Sequence, residues 1–241
     1  MSEHLSRKEL KQDKIKETFE HGAEAVYSHS QLAVAALLIL ILAACGYGGW
    51  KLYNDRQTAK AEVEFDAAMK TYNARIAGTP DPTPDPSEAV YQDEATRSNA
   101  AVTKFIAVAD KYSGTNPGKL ARYYAALCYE NPEKQNQALE LLQKVSASGD
   151  AELSAMAQYQ ISVIDARTGK SDEAIKILRA LAAKPTTLVP HPVVLLDLAG
   201  LLRKSNPQEA ISIYQQVKKD YPDATISEEA DRGLAGLGPK S

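Results

Sequence analysis

"QALELLQKV" (Gln137–Val145), "EAIKILRAL" (Glu173–Leu181) and "EAISIYQQV" (Glu209–Val217) decide how this chain folds. Laid over one another, they put Ala138, Ala174 and Ala210 in one column, 36 residues apart each time. Leu142, Leu178 and Tyr214 follow four residues later, and Val145, Leu181 and Val217 seven later. An upstream copy, "AAVTKFIAV" (Ala100–Val108), places Ala101, Phe105 and Val108 at the same offsets, with Ala101 37 residues before Ala138. Offsets of four and seven lie on one face of a helix. A small residue followed by two bulky ones lets a second helix approach closely and then fills the gap. A fixed step near 36 residues is the signature of helical hairpins stacked on their neighbours.

Working outward, a second helix precedes each of the last three copies: Lys119–Glu130, Ala155–Arg167 and Pro192–Lys204. The punctuation between them agrees. Gly169 falls in an internal turn, with Ser171 placed to cap the next helix. Pro207 stands at a first helical position after Ser205 and Asn206. Pro185 and Pro222 fall just past helix ends. The run Ala157, Ile161, Gly169, Ala174, Leu178, Leu181, Pro185 resembles the tetratricopeptide repeat, which implies an α-solenoid. The step exceeds the usual 34 residues, the first unit lacks the turn glycine, and Asp165 and Asp197 occupy normally apolar positions.

The N-terminal side has a different character. From Leu32 to Trp50 there are 19 residues without a charge, enough for a helix of about 28 Å, close to a bilayer's hydrocarbon thickness. Tyr47, Trp50 and Tyr53 recur every third residue at its far end. With Lys51 they read as an aromatic belt with a snorkelling cation at a membrane interface. The same run contains Leu42-Ala43-Ala44-Cys45, a lipoprotein-like box that makes Cys45 a candidate for lipidation. The residues ahead of it favour a retained anchor. A cleaved signal has a short positive leader, whereas residues 1–31 carry five Lys/Arg and six Asp/Glu. Ser6 and Glu9 form a capping box with Leu5 and Leu10 as its staple. Ile15, Phe19, Ala23 and Val26 then make an apolar stripe.

The expected organisation is therefore an amphipathic head over 1–31, a transmembrane helix over 32–53 and an emerging helix over 54–77. A proline-rich spacer over 78–88 and repeats over 89–241 follow. The fold class is all-α, a single transmembrane helix followed by a tetratricopeptide-like α-solenoid. The spacer's four prolines at alternate positions forbid a helix.

No chemistry announces itself. The net charge of −3 gives no basic footprint for nucleic acid. His4, His21, His29 and His191 are scattered, and no cluster has metal-ligand spacing. Neither a nucleophile elbow nor a phosphate loop is present. The reading is a non-enzyme with no catalytic residue, no cofactor and no metal. Cys45 and Cys128 lie too far apart in sequence to suggest a framework.

What remains is surface. Tyr123, Tyr159 and Leu195 share one repeat position. Leu127, Val163 and Ala199 share another one turn on, and Arg167 and Arg203 a third. On the concave side of a stack, these would form an apolar ladder with a basic edge, suited to an extended peptide. The same spacing also suits core between repeats.

The whole layout, with Gly49-Trp50-Lys51-Leu52-Tyr53 closing the membrane run, resembles the bacterial ancillary subunit of the SecYEG translocon. That resemblance implies a cytoplasmic N-terminus, periplasmic repeats and an inner-membrane location. Lysines and arginines alone do not favour this orientation: Lys14 and Lys16 precede the span, while Lys51, Arg56, Lys60 and Lys70 follow it. The resemblance also implies partners among translocon subunits, periplasmic chaperones or secreted chains, held in a chaperone-like manner. Homo-oligomerisation is left open. The alternative is a lipoprotein scaffold in envelope assembly, anchored through Cys45.

Overall fold

The computed structural model describes residues 30–79, 89–129 and 131–237. The capping box and stripe of the N-terminal head lie outside these residues, as does the proline run from 80 to 88. The chain divides into two units, Met1–Arg56 and Gln57–Ser241.

In the first unit the described residues belong to one helix, α1, which runs from Ser30 to Tyr72. Leu37, Leu38, Ile39, Leu40, Ile41 and Leu42 are all about half exposed or more. Successive residues of a helix point to every side of it, so no face of this stretch packs on another described part of the protein. Such a helix gains nothing from folding in water; its length and composition suffice to cross a membrane.

The second unit begins inside the same helix. Its strands and further α-helices are β1 (Arg75–Ile76), β2 (Val90–Tyr91), α2 (Glu94–Lys111), α3 (Asn116–Leu127), α4 (Gln135–Ser146), which a 3-10 turn over Pro132–Lys134 precedes, and α5 (Ala151–Arg167). They continue with α6 (Ser171–Ala183), α7 (His191–Ser205), α8 (Pro207–Asp220) and α9 (Ala224–Ala235). Each helix from α2 to α9 packs on the next. The result is an all-α, solenoid-like stack of hairpins: α3–α4, α5–α6 and α7–α8, with α9 closing the series. The two β segments are a two-residue parallel pair, Arg75 opposite Val90 and Ile76 opposite Tyr91.

The repeat columns form the core. Ala101, Ala138, Ala174 and Ala210 are between 0% and 2% exposed. Phe105, Leu142, Leu178 and Tyr214 lie beside them, also buried, as do Val108, Val145, Leu181 and Val217. The first copy has a partner that the repeat pattern did not reveal. Residues 57–72 of α1 supply Ala61, Phe65 and Ala68 to the same cluster as Phe105. Lys104 donates from α2 to Thr71 (2.7 Å), and Lys111 and Tyr112 both reach Glu64 at 2.6 and 2.7 Å. The emerging helix is thus the first helix of the first repeat rather than a separate stalk.

Local boundaries follow the expected chemistry with two corrections. Asp93, Thr115, Asp150, Asn206 and Asp223 cap α2, α3, α5, α8 and α9 through their side chains. Ser171 does not cap α6. Gly169, at φ +82°, closes α5, and the Lys170 amide bonds the Asp165 carbonyl at 2.8 Å. Helix α6 starts immediately, so Lys170 occupies the cap position and Ser171 is already helical. Helix α1 ends at Tyr72, not Ala77, because Arg75 and Ile76 pair with β2 and Arg97 donates to the Ala74 carbonyl at 3.1 Å.

One side chain holds the middle of the long α6–α7 connection. Glu152, in the first turn of α5, accepts the amides of Thr187 (3.1 Å) and Leu188 (2.8 Å). The Leu188 amide, then the Thr187 amide, holds this carboxyl below its ordinary range. A carboxyl with a lowered folded-state pKa stabilises the fold above the ordinary value and loses that contribution as pH falls through the lowered one. Glu152→Gln is therefore expected to lower Tm at neutral pH. The gap to the wild type should close below about pH 4, as measured by circular dichroism melts over a pH series.

Candidate binding groove

The first helices of the hairpins, α3, α5 and α7, carry the expected contact residues, and their depths differ. Tyr123, Leu195 and Ala199 are 6%, 5% and 0% exposed and sit in the packing between helices. Leu127, Tyr159 and Val163 are half-buried, and Arg167 and Arg203 are exposed. The apolar ladder thus divides: one set joins repeats, and the other remains at the surface.

The tyrosines act across repeats. Tyr159 on α5 donates its hydroxyl to Asp197 Oδ2 on α7 at 2.6 Å. Tyr123 on α3 faces the Gln160 side chain on α5, which draws its hydroxyl's pKa down against the larger upward effect of burial. Burial first, and then the Asp197 carboxylate, pushes the Tyr159 hydroxyl well above its ordinary value. Burial is also the main cause of the upward shift at Tyr123. Both therefore stay protonated donors at neutral pH. This gives Asp197 a reason to stand where an apolar residue is usual. Asp165 has a different one: its carboxylate is nearly covered and lies 3.7 Å from Lys170 Nζ.

A cavity of about 500 Å³ opens between α5, α7 and α9. Val163, Ala166, Leu196, Leu201 and Tyr214 give it apolar walls, and Arg167, Arg203, Arg232, Asp197 and Glu229 give it charge. Neither Arg167 nor Arg203 forms an ion pair with a carboxylate among the described residues. Helix α9 forms its far wall through a close approach. The ring of Tyr214 lies where a Cβ at Gly233 would be, and the Arg203 guanidinium covers Gly236. Burial, the largest influence on Tyr214, raises its hydroxyl as well. The α9 wall was not among the expected contact residues. Its signal is in the sequence: Asp223 as a cap, then Ile226, Ala230 and Gly233 at helical spacing, another small-residue face.

On α1, Tyr47, Trp50 and Tyr53 are 66%, 62% and 64% exposed, and the Tyr47 and Trp50 rings lie 6.2 Å apart. Lys51 and Cys45 are exposed too. Cys128 is buried, and neither cysteine is in a disulfide. Among the described residues no group of three His, Cys, Asp or Glu side chains is placed to hold a metal ion.

Stacked hairpins of this kind present concave surfaces that bind other proteins. No curated protein and no solved structure matches the chain at a significant level. A family model does: the tetratricopeptide repeat-like domain matches residues 27–230. That match takes in the described part of α1 and every hairpin through most of α9. The chain belongs to the tetratricopeptide repeat-like domain family.

Proposed function

We propose that this protein is a membrane-anchored protein-binding module whose repeats hold polypeptides close to the bacterial secretion machinery. Helix α1 is the anchor in the inner membrane, with its N-terminus cytoplasmic and the repeats periplasmic. The aromatic residues Tyr47, Trp50 and Tyr53 with Lys51 sit at the membrane interface. The partners are translocon subunits, periplasmic chaperones or emerging chains. Binding works by packing against the inner helices, with no bond chemistry, as a chaperone-like accessory to the translocon.

One observation carries this reading. A hairpin stack of the tetratricopeptide-like family has a partly apolar pocket on its first helices, and the same chain carries a bare apolar helix suited to lipid. Of the contact residues first expected, Leu127, Tyr159, Val163, Arg167 and Arg203 retain surface for a partner. Tyr123, Leu195 and Ala199 support them from beneath.

A photoreactive side chain at Leu127 or Tyr159 in intact cells tests the proposal. Crosslinks to translocon subunits, periplasmic chaperones or nascent secreted chains are expected. Crosslinks confined to cell-wall enzymes or outer-membrane assembly factors would overturn it.

A further inference from the structure

Helix α9 walls one side of the pocket, and it is held by less than the two helices it touches. Helix α7 buries Val194, Leu195 and Leu202 among others, and α8 buries Ile213, Tyr214 and Val217. Helix α9 fully buries only Ala230 and Gly233, while Ile226 and Leu234 are half covered. Apolar burial is the main term that keeps a helix docked, so the element with the smallest buried side chains leaves most readily. The ion pair Lys218–Asp231, which ties α9 to α8, is exposed at both ends and adds little.

The chain around α9 separates a fixed part from a loose one. The Tyr221 hydroxyl and His191 Nδ1 are hydrogen-bonded at 2.7 Å, which pins the chain to α7 just before α9. Pro222 and Asp223 follow, both exposed. Asp223 accepts the Thr225 and Ile226 amides with its side chain and the Ser227 amide with its carbonyl. The Leu237 amide bonds the Leu234 carbonyl at the other end. These end bonds lie within the α9 segment, so its departure breaks none of them. What holds it closest is the notch at Gly233, where the absent Cβ leaves room for the Tyr214 ring. We propose that α9 is a lid: it swings from the stack about Pro222–Asp223, and the pocket opens as Tyr214 is uncovered. The lid governs access to the pocket and not what enters it, so it stands or falls separately from the polypeptide-binding reading.

The test compares two tyrosines of equal cover. Tyr214 is 4% exposed and Tyr123 is 6% exposed, but Tyr123 is covered by α4 and α5 inside the stack. Hydroxyl-radical footprinting of the full chain in detergent micelles, read by mass spectrometry, reports how often each is uncovered. Tyr214 is expected to be oxidised about tenfold faster than Tyr123, because a local opening is far more frequent than separation of two hairpins. Gly233→Ala places a methyl where the Tyr214 ring lies and should raise the Tyr214 rate further, leaving Tyr123 unchanged. A clamp should do the reverse. Lys218→Cys and Asp231→Cys, in a chain with Cys45→Ser and joined by a bismaleimide, should bring the Tyr214 rate down to that of Tyr123.

Equal oxidation of the two tyrosines in the unaltered chain overturns the lid. So does a Tyr214 rate that the clamp leaves high, since the ring is then reached without movement of α9. A rise at both tyrosines in Gly233→Ala overturns it too, because the stack then opens as a whole. None of these results touches the crosslinks from Leu127 and Tyr159, on which the polypeptide-binding reading is judged.

Discussion

Phe105→Ala is expected to cost the first hairpin about 3–5 kcal/mol, the largest effect of any single truncation considered. Phe105 is fully buried, with its ring centroid 5.8 Å from Phe65, 6.1 Å from Tyr72 and 5.5 Å from Tyr124. These rings come from α1, α2 and α3, so the side chain ties three helices at one point. Removing it leaves a ring-sized void that rigid aromatic neighbours cannot close. The damage should also be local. Each repeat touches only its neighbours, so a weakened end opens without dismantling the far end. Hydrogen exchange read by mass spectrometry should show residues 101–109 losing protection while 194–202 keep theirs. Uniform loss across both would mean the stack melts as one unit.

The second large effect runs against propensity. Gly118 is inside α3, where alanine normally stabilises a helix by about 1 kcal/mol. Here Gly118→Ala is expected to destabilise by about 2–3 kcal/mol. A Cβ at this position would overlap the Tyr112 carbonyl. That carbonyl cannot step aside, because it accepts both the amide and the hydroxyl of Thr115 at 2.9 and 2.8 Å. Thr115 in turn caps α3 through the Gly118 amide at 3.2 Å. Gly200→Ala is the control: a Cβ there meets nothing closer than the Tyr214 hydroxyl at 3.9 Å. Thermal melts should therefore move in opposite directions for the two substitutions. A gain at Gly118 would mean that the α2–α3 turn is looser than its bonds imply.

The sequence made the hairpins legible because their cause is periodic. Columns such as Ala138, Ala174 and Ala210 repeat at a constant step, and the burial they require is the same in each unit. Prolines and capping residues mark most of the joints by purely local chemistry. Two features escaped because their causes are not local. Nothing at Asn73 or Ala74 stops a helix by propensity; α1 ends there because β1 finds β2 fourteen or more residues onward. Residues 57–72 look like a generic Ala/Glu/Lys helix, and only their packing on Phe105 makes them part of a repeat.

The groove was legible in part. Arg167 and Arg203 could be placed at equivalent, exposed positions from their spacing alone. Spacing could not separate Tyr123, which is covered, from Tyr159, which is half open, since both obey the same period. Nor could it show that Asp197 answers Tyr159, because that bond depends on how far one hairpin is rotated against the next. The pocket itself exists only through α9, which lies outside the repeating columns.

Trp50, described above as part of the exposed aromatic trio on α1, is the sole tryptophan of the chain, whereas the repeats hold Tyr123, Tyr124, Tyr159 and Tyr214. Indole absorbs at longer wavelengths than phenol, so excitation at the red edge addresses one unit and leaves the other dark. The emission colour then reads the polarity around this stretch of α1 directly, and a blue-shifted emission in vesicles is the result expected of the proposed anchor. The molecule thus carries its own optical probe of the medium around α1, with no dye attached and no residue changed.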